Sequence, residues 1–201
     1  MKERKTTIKR ITKETDITMK LNIDGAGKSR ISTGIGFLDH MLELFAFHGL
    51  FDLDIIAKGD LKVDMHHTNE DIGIVLGDAF KKALGDKTGI VRAGSFSWTM
   101  EDVVATVVVD ISGRGFFTGI AGIKNLSINQ EEGYTFEYAN HFFESFAKRL
   151  GFDLSIKLES NNPDIHTNLE PVFKALGKAL DLASQIDPRR KGVPSTKGII
   201  D

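Results

Sequence analysis

The chain has 201 residues, 41% hydrophobic and 27% charged, a balance that supports one sizeable core and argues against disorder. Its net charge of −2 creates no global field toward nucleic acid or an anionic membrane. There is no cysteine, so disulfides and thiolate metal ligands are excluded, and any transition-metal site must be built from histidine and carboxylate.

The first ten residues, MKERKTTIKR, are basic and lack the apolar core of a signal peptide. No apolar run approaches the roughly 18 residues of a membrane span, so the expectation is a soluble, cytoplasmic protein. Alternating β-branched stretches at 6–11 and 17–23 predict two strands. Residues 37–47 carry apolar side chains at 37, 38, 41, 42, 44 and 45, the period of an amphipathic helix. A short strand follows at 51–57, then a second amphipathic helix at about 67–84, ended by Gly85. The same layout returns with strands at 95–100 and 103–111, a helix at about 136–150 and a strand at 152–158. A last helix at about 167–184 ends before Pro188. Antiparallel strands with helices on one face predict an α+β fold.

The two halves also share words. Asp39-His40-Met41-Leu42-Glu43-Leu44-Phe45-Ala46 returns 101 positions later as Asn140-His141-Phe142-Phe143-Glu144-Ser145-Phe146-Ala147. At a spacing of 100, His66-His67-Thr68-Asn69-Glu70 matches His166-Thr167-Asn168-Leu169-Glu170, and Leu76-Gly77 matches Leu176-Gly177. One domain over 1–201 is therefore expected, made of two repeats at approximately 1–90 and 91–185 with a tail at 186–201. Similarity between two amphipathic helices explains the apolar matches but not the shared His and Glu.

Five of the six histidines lie in these repeated words: His40, His66, His67, His141 and His166. Residues four apart share a helix face, so His66 with Glu70, and His166 with Glu170, can each offer an imidazole and a carboxylate to one metal. His67 points about 100° away from His66 and should serve a different metal or the other side of a paired site. Ligand sets of histidine and carboxylate suit Mn, Fe or Zn. A solvated helix start would account for the glutamates but for no histidine.

The segments Thr33-Gly34-Ile35-Gly36-Phe37-Leu38-Asp39-His40-Met41-Leu42 and His66-His67-Thr68-Asn69-Glu70-Asp71 resemble the imidazoleglycerol-phosphate dehydratase family. Ser112-Gly113-Arg114, His141-Phe142-Phe143, the second HxxxE and Pro194-Ser195-Thr196-Lys197-Gly198 continue the resemblance in the family's order. It implies dehydration of D-erythro-imidazole-glycerol phosphate to imidazole-acetol phosphate in histidine biosynthesis, with the substrate ring held as an imidazolate between two Mn ions. It implies His40, His66, His67, Glu70, His141, His166 and Glu170 as metal ligands and Glu14 as the acid/base. It further implies Arg92, Arg114, Ser195 and Lys197 at the phosphate, Lys174 as another substrate contact, and a substrate-binding tail. The implied fold has two half-domains, each a four-stranded sheet with two helices, the helices sandwiched between the sheets (a ribosomal protein S5 domain 2-like arrangement). Active sites between subunits, and trimers assembled into a 24-subunit shell, are implied as well. No nucleic-acid or membrane partner is expected.

Two departures stand out. Thr167 occupies the place of a second histidine, so the site using His66, Glu70 and His141 is expected to lack a ligand. Met65 replaces an acidic residue before the first histidine pair, which predicts a missing partner for orienting a ligand histidine. Besides a working dehydratase, two readings therefore stay open. One is a degenerate or engineered relative with weakened metal binding and little activity, and the other is a dinuclear metallohydrolase of a phosphorylated small molecule.

Overall fold

The computed structural model of the chain describes residues 3–123, 131, 133–160 and 162–200. Residues 1, 2 and 201, the outer ends of the expected segments, lie outside them.

β1 (Lys5–Ile11) and β2 (Thr15–Asn22) form an antiparallel hairpin, from Lys5 opposite Asn22 to Ile11 opposite Asp16. Alternation along β2 buries Thr15, Ile17, Met19 and Leu21 on one face and leaves Asp16 and Lys20 on the other, the period-2 pattern of a half-buried strand. β3 (Ser29–Ser32) leads into α1 (Gly36–Gly49), which returns the chain to β4 (Asp52–Gly59). β4 pairs antiparallel with β2 and parallel with β3, and the sheet order is β1-β2-β4-β3. α2 (His66–Leu84) then packs on β1 and β2.

The second half repeats this plan. β5 (Ala93–Met100), β6 (Val103–Asp110), β7 (Ile120–Ala121) and β8 (Asp153–Leu158) form a sheet in the order β5-β6-β8-β7. α3 (Phe136–Leu150) precedes β8, and α4 (Ile165–Ser184) packs on β5 and β6. The helices form the layer between the two sheets, as expected. The predicted helices and six strands appear with ends displaced by one or two residues. β3 and β7 carry no readable alternation because SRIS is mostly polar and exposed and IA is only two residues long.

The halves meet through their helices, α1 against α4 and α2 against α3. Both pairs run parallel and approach closely at glycine. A Cβ on Gly177 would lie 2.5 Å from the Phe45 carbonyl oxygen, and one on Gly77 2.9 Å from that of Phe146. This explains why the repeat keeps a glycine at both positions. Below the contact, Phe45 and Phe80 meet Phe146 at ring distances of 6.3 and 5.7 Å, joining the halves into one core. Gly177→Ala is expected to force α1 from α4 and destabilise the chain by about 1–3 kcal/mol, the usual range for overpacking. Denaturant unfolding checks this, and an unchanged midpoint would refute the close-approach argument.

Candidate metal centre

Each helix pair brings two N-terminal turns together, and the repeated histidines lie on them. α1 begins after Thr33, whose backbone N–H and hydroxyl both donate to Asp39, fixing the turn that carries His40. α4 begins at Asp164, whose carboxylate accepts the Thr167 N–H at 2.9 Å. His40 from the first half thereby meets His166 and Glu170 from the second. The His40 and His166 rings are 5.1 Å apart, and the two Nε2 atoms lie 3.7 and 2.9 Å from Glu170 Oε2. Ligand atoms of all three residues lie within 4.8 Å of one another. Donors about 2 Å from one ion are about 3–4 Å apart, so two imidazoles and a carboxylate at this spacing fit a divalent cation.

The repeat-related residues His141, His66 and Glu70 lie on the other helix pair, again across the halves, without bringing three ligand atoms within 4.8 Å of one another. His141 Nδ1 of α3 is 3.3 Å from His66 Nδ1 of α2, and His66 Nε2 is 3.6 Å from Glu70 Oε2. This triad is looser and more open, with the Glu70 side chain 44% exposed against 13% for Glu170. His67 points away from both triads, as the helix geometry predicts. Its Nδ1 is 2.9 Å from Asp60 Oδ2, and its Nε2 is 3.8 Å from Glu14 Oε1 on the β1–β2 turn. Thr167, its counterpart, is buried and donates its hydroxyl to Asp164 at 2.7 Å.

Asp60 corrects one expectation. The loss of an acidic residue at Met65 leaves no orienting partner missing for His67, because Asp60 at the end of β4 reaches the ring instead. Sequence reasoning also missed Glu131, whose carboxylate lies 2.9 Å from His166 Nδ1, and Tyr134. Tyr134 is buried against Phe37 and donates its hydroxyl to Asn69 at 2.8 Å, linking the α1 and α2 starts. The placing of Asn69 inside the HHTNE word was the only available signal for that link.

The expected phosphate residues do not join the triads within this chain. Arg92 donates to Asp110 at 2.6 and 2.9 Å and to the Pro194 carbonyl at 3.0 Å, holding the tail beside Ser195. Arg114 is 3.6 Å from Asp153, and Asp110 stands opposite Asp153 in the sheet. Arg92, Arg114 and Ser195 thus gather where β8 starts, and the Lys197 N–H donates to the Ser195 hydroxyl oxygen at 3.2 Å. The histidines lie beyond the other end of β8, about 17 Å away at about 3.3 Å per residue. Lys174 is elsewhere, on α4, with its ammonium 2.5 Å from Glu170 Oε1 and 5.8 Å from the Trp98 ring.

A family model described as imidazoleglycerol-phosphate dehydratase matches residues 33–180. An imidazoleglycerol-phosphate dehydratase of Thermoanaerobacter sp. (strain X514) is 52% identical over 199 residues, 98% of this chain and 100% of the relative. One from Geobacter metallireducens is 47% identical, covering 97% of this chain and 98% of its own. The crystal structure of the Staphylococcus aureus enzyme of that name superposes with a TM-score of 0.78 at 33% identity, over 91% of this chain and 99% of the other. The chain belongs to the imidazoleglycerol-phosphate dehydratase family. It is accordingly a hydro-lyase of histidine biosynthesis, and the metallohydrolase reading falls away. Among the described residues no helix is long and apolar enough to cross a membrane.

The triad on α1 and α4 carries a marked charge balance. Burial disfavours charge on His166, but the Glu131 and Glu170 carboxylates outweigh it and hold the imidazole above its usual 6.5. Burial likewise opposes the Glu170 carboxylate, while Lys174 and His166 keep it below the ordinary carboxylate range. A group with a raised folded pKa stabilises fully below its unfolded value and loses that contribution as pH rises through the folded one. The metal-free chain should therefore lose this contribution above 6.5, whereas metal affinity should rise over the same window because only neutral imidazole ligates. Melting of metal-free wild type and His166→Gln between about pH 6 and about pH 8 tests this. Parallel pH curves for the two proteins would refute it.

Proposed function

We propose that this chain removes water from D-erythro-imidazole-glycerol phosphate to give imidazole-acetol phosphate, at a site where Mn is held by the two His–His–Glu triads. The convergence of His40, His166 and Glu170 from opposite halves of the chain carries this reading. These residues would hold one Mn, and His66, His141 and Glu70 a second. When bound, the metals supply Lewis acidity toward the substrate's imidazole, making that ring the sink for the electron pair left by C–H cleavage.

The remaining work falls to the chain. The C–H bond to be broken is not beside a carbonyl, so a base must reach the side chain while the ring is gripped. Glu14 is that base: its half-exposed carboxylate sits at the tip of the first hairpin, 3.8 Å from His67 Nε2. Arg92, Arg114, Ser195 and Lys197 bind the phosphate, Arg92 with the two N–H donors it has not spent on Asp110 and Pro194. Lys174, whose ammonium lies 2.5 Å from Glu170 Oε1, would supply a further substrate contact beside the triad. The separation of the phosphate residues from the triads of their own chain supports sites completed by a neighbouring copy, with His67 serving the neighbour's metal. Self-association as trimers within a 24-subunit shell, in the cytoplasm, accords with this reading.

Thr167 favours unequal loading of the two sites. Its hydroxyl is committed to Asp164, and it has no imidazole to offer the triad of His66, His141 and Glu70. Thr167→His should raise the Mn retained per chain after dialysis, measured by elemental analysis. Equal retention in both proteins would show that the threonine costs no metal. The Mn-replete chain should turn over imidazole-glycerol phosphate, and Glu14→Gln should lower kcat by about 10²- to 10⁴-fold with Mn content unchanged. Absence of turnover with both sites filled would overturn the proposed activity.

A further inference from the structure

The turn that carries Glu14 is tied to α2 by a buried carboxylate that the proposed reaction does not otherwise use. Asp71 follows Glu70 and stands one helical turn after His67, so His67 and Asp71 share a face toward the first hairpin. Asp71 Oδ1 lies 2.9 Å from Arg10 Nε of β1, an ion pair without hydrogen-bond geometry, and its Oδ2 accepts the Thr15 hydroxyl of β2 at 2.5 Å. One carboxylate therefore holds both strands just below the tip. Its side chain is 9% exposed, and Thr15 is buried. From Thr15 the bonding continues into the turn. Thr12 and Thr15 hydroxyl oxygens are 3.2 Å apart, and the N–H groups of Glu14 and Thr15 donate to Thr12 Oγ1 at 3.0 and 2.9 Å.

The other half acts as an internal control. At the spacing of 100 that aligns the two histidine words, Asp71 corresponds to Pro171, whose side chain can accept no hydrogen bond. The β5–β6 turn there is instead tied to the loop after β8, through Ser160 on the Asp102 carbonyl and Asn162 on the Asp102 carboxylate at 2.9 Å. The same sheet therefore packs on the same helix without a buried carboxylate clamp. The clamp occurs in the half whose turn bears Glu14. We propose that Asp71 is a positioning residue, holding the first hairpin through Arg10 and Thr15 so that Glu14 stays at a fixed place relative to the metal-bearing turn of α2. This rests on the assignment of Glu14 as the proton-transfer group.

The test uses the full-length, Mn-loaded protein with Thr15→Val, Asp71→Asn and the conservative Thr15→Ser. Amide hydrogen exchange should quicken about tenfold at residues 12–15 in the first two variants, while the β5–β6 turn and the start of α2 stay unchanged. kcat should fall about 100-fold, the scale of an ångström-sized misplacement, with KM and Mn content held and the pH profile of kcat displaced. Thr15→Ser should behave as wild type. Unchanged exchange at the tip, or a kcat loss that only tracks lost metal, would overturn the clamp. Full kcat in Glu14→Gln would overturn it too, by removing the group it is said to position. Absence of turnover in the wild type would count against the dehydratase reading alone, and the exchange data would still decide the clamp.

Discussion

Everything at the candidate site depends on the close parallel approach of helices from opposite halves. Neither half holds a triad by itself: the first has His40 on α1 and His66 with Glu70 on α2, the second His141 on α3 and His166 with Glu170 on α4. Among the described residues the pairing of α1 with α4 puts two imidazoles and a carboxylate within 4.8 Å of one another, and the pairing of α2 with α3 brings His141 to His66. That pairing needs backbone-to-backbone contact at Gly77 and Gly177, where any side chain would meet a carbonyl oxygen of the facing helix. The rings of Phe45, Phe80 and Phe146 fill the space further along the helices and keep the two pairs from sliding. Packing density and ligand geometry are thus one constraint, since a shift along either helix pair would separate His40 from Glu170 as surely as it would open the core.

Two triads built on one plan have come to differ in electrostatics. At Glu170 the carboxylate is mostly buried and bound by Lys174 and His166, and Lys174 lies near the Trp98 ring, which also meets His48 edge-on. The counterpart of Lys174 in the first half is Ile74, so Glu70 has no lysine one turn further along the helix and is correspondingly open. Cations at Glu170 outweigh the desolvation of its charge and hold its carboxyl below the ordinary carboxylate range.

The sequence made the helical parts legible because their period, capping and shared words are local. HxxxE states its own geometry once the segment is helical, and the expected divergence of His67 from His66 follows from 100° per residue. What it could not state was reach across the fold. Nothing near Asp60 marks it as the partner of His67, and neither Glu131 nor Tyr134 sits at a recognisable spacing from the histidine it serves or the asparagine it binds. β3 and β7 were illegible for a different reason: short edge strands bury too little to impose an alternating pattern. The phosphate residues were found by resemblance as one group with the metal ligands, but sequence order carries no information about which end of a strand a residue occupies. The length of β8 separates them, and that separation makes a single chain an incomplete site on the proposed reading.

Duplication explains how such division of labour can arise without a new fold. Once two copies of a half-domain share a core, the helix and sheet layer is supported twice, and equivalent positions are released from having the same task. Asp71 and Pro171 are one such pair, Glu14's long hairpin turn and the tight Glu101–Asp102 turn another, and His67 and Thr167 a third. The first half holds a half-buried imidazole beside the Glu14 carboxylate, whereas the second turns the same position inward, where Thr167 donates to the helix cap Asp164. At the opposite end the second half collects Arg92, Arg114 and the tail against Asp110 and Asp153. On the proposed reading, proton transfer belongs to one repeat and anion binding to the other, so neighbouring copies must meet with unlike ends together. On that reading a symmetric pair of identical halves would have no reason to require the contact, whereas specialised halves would depend on it.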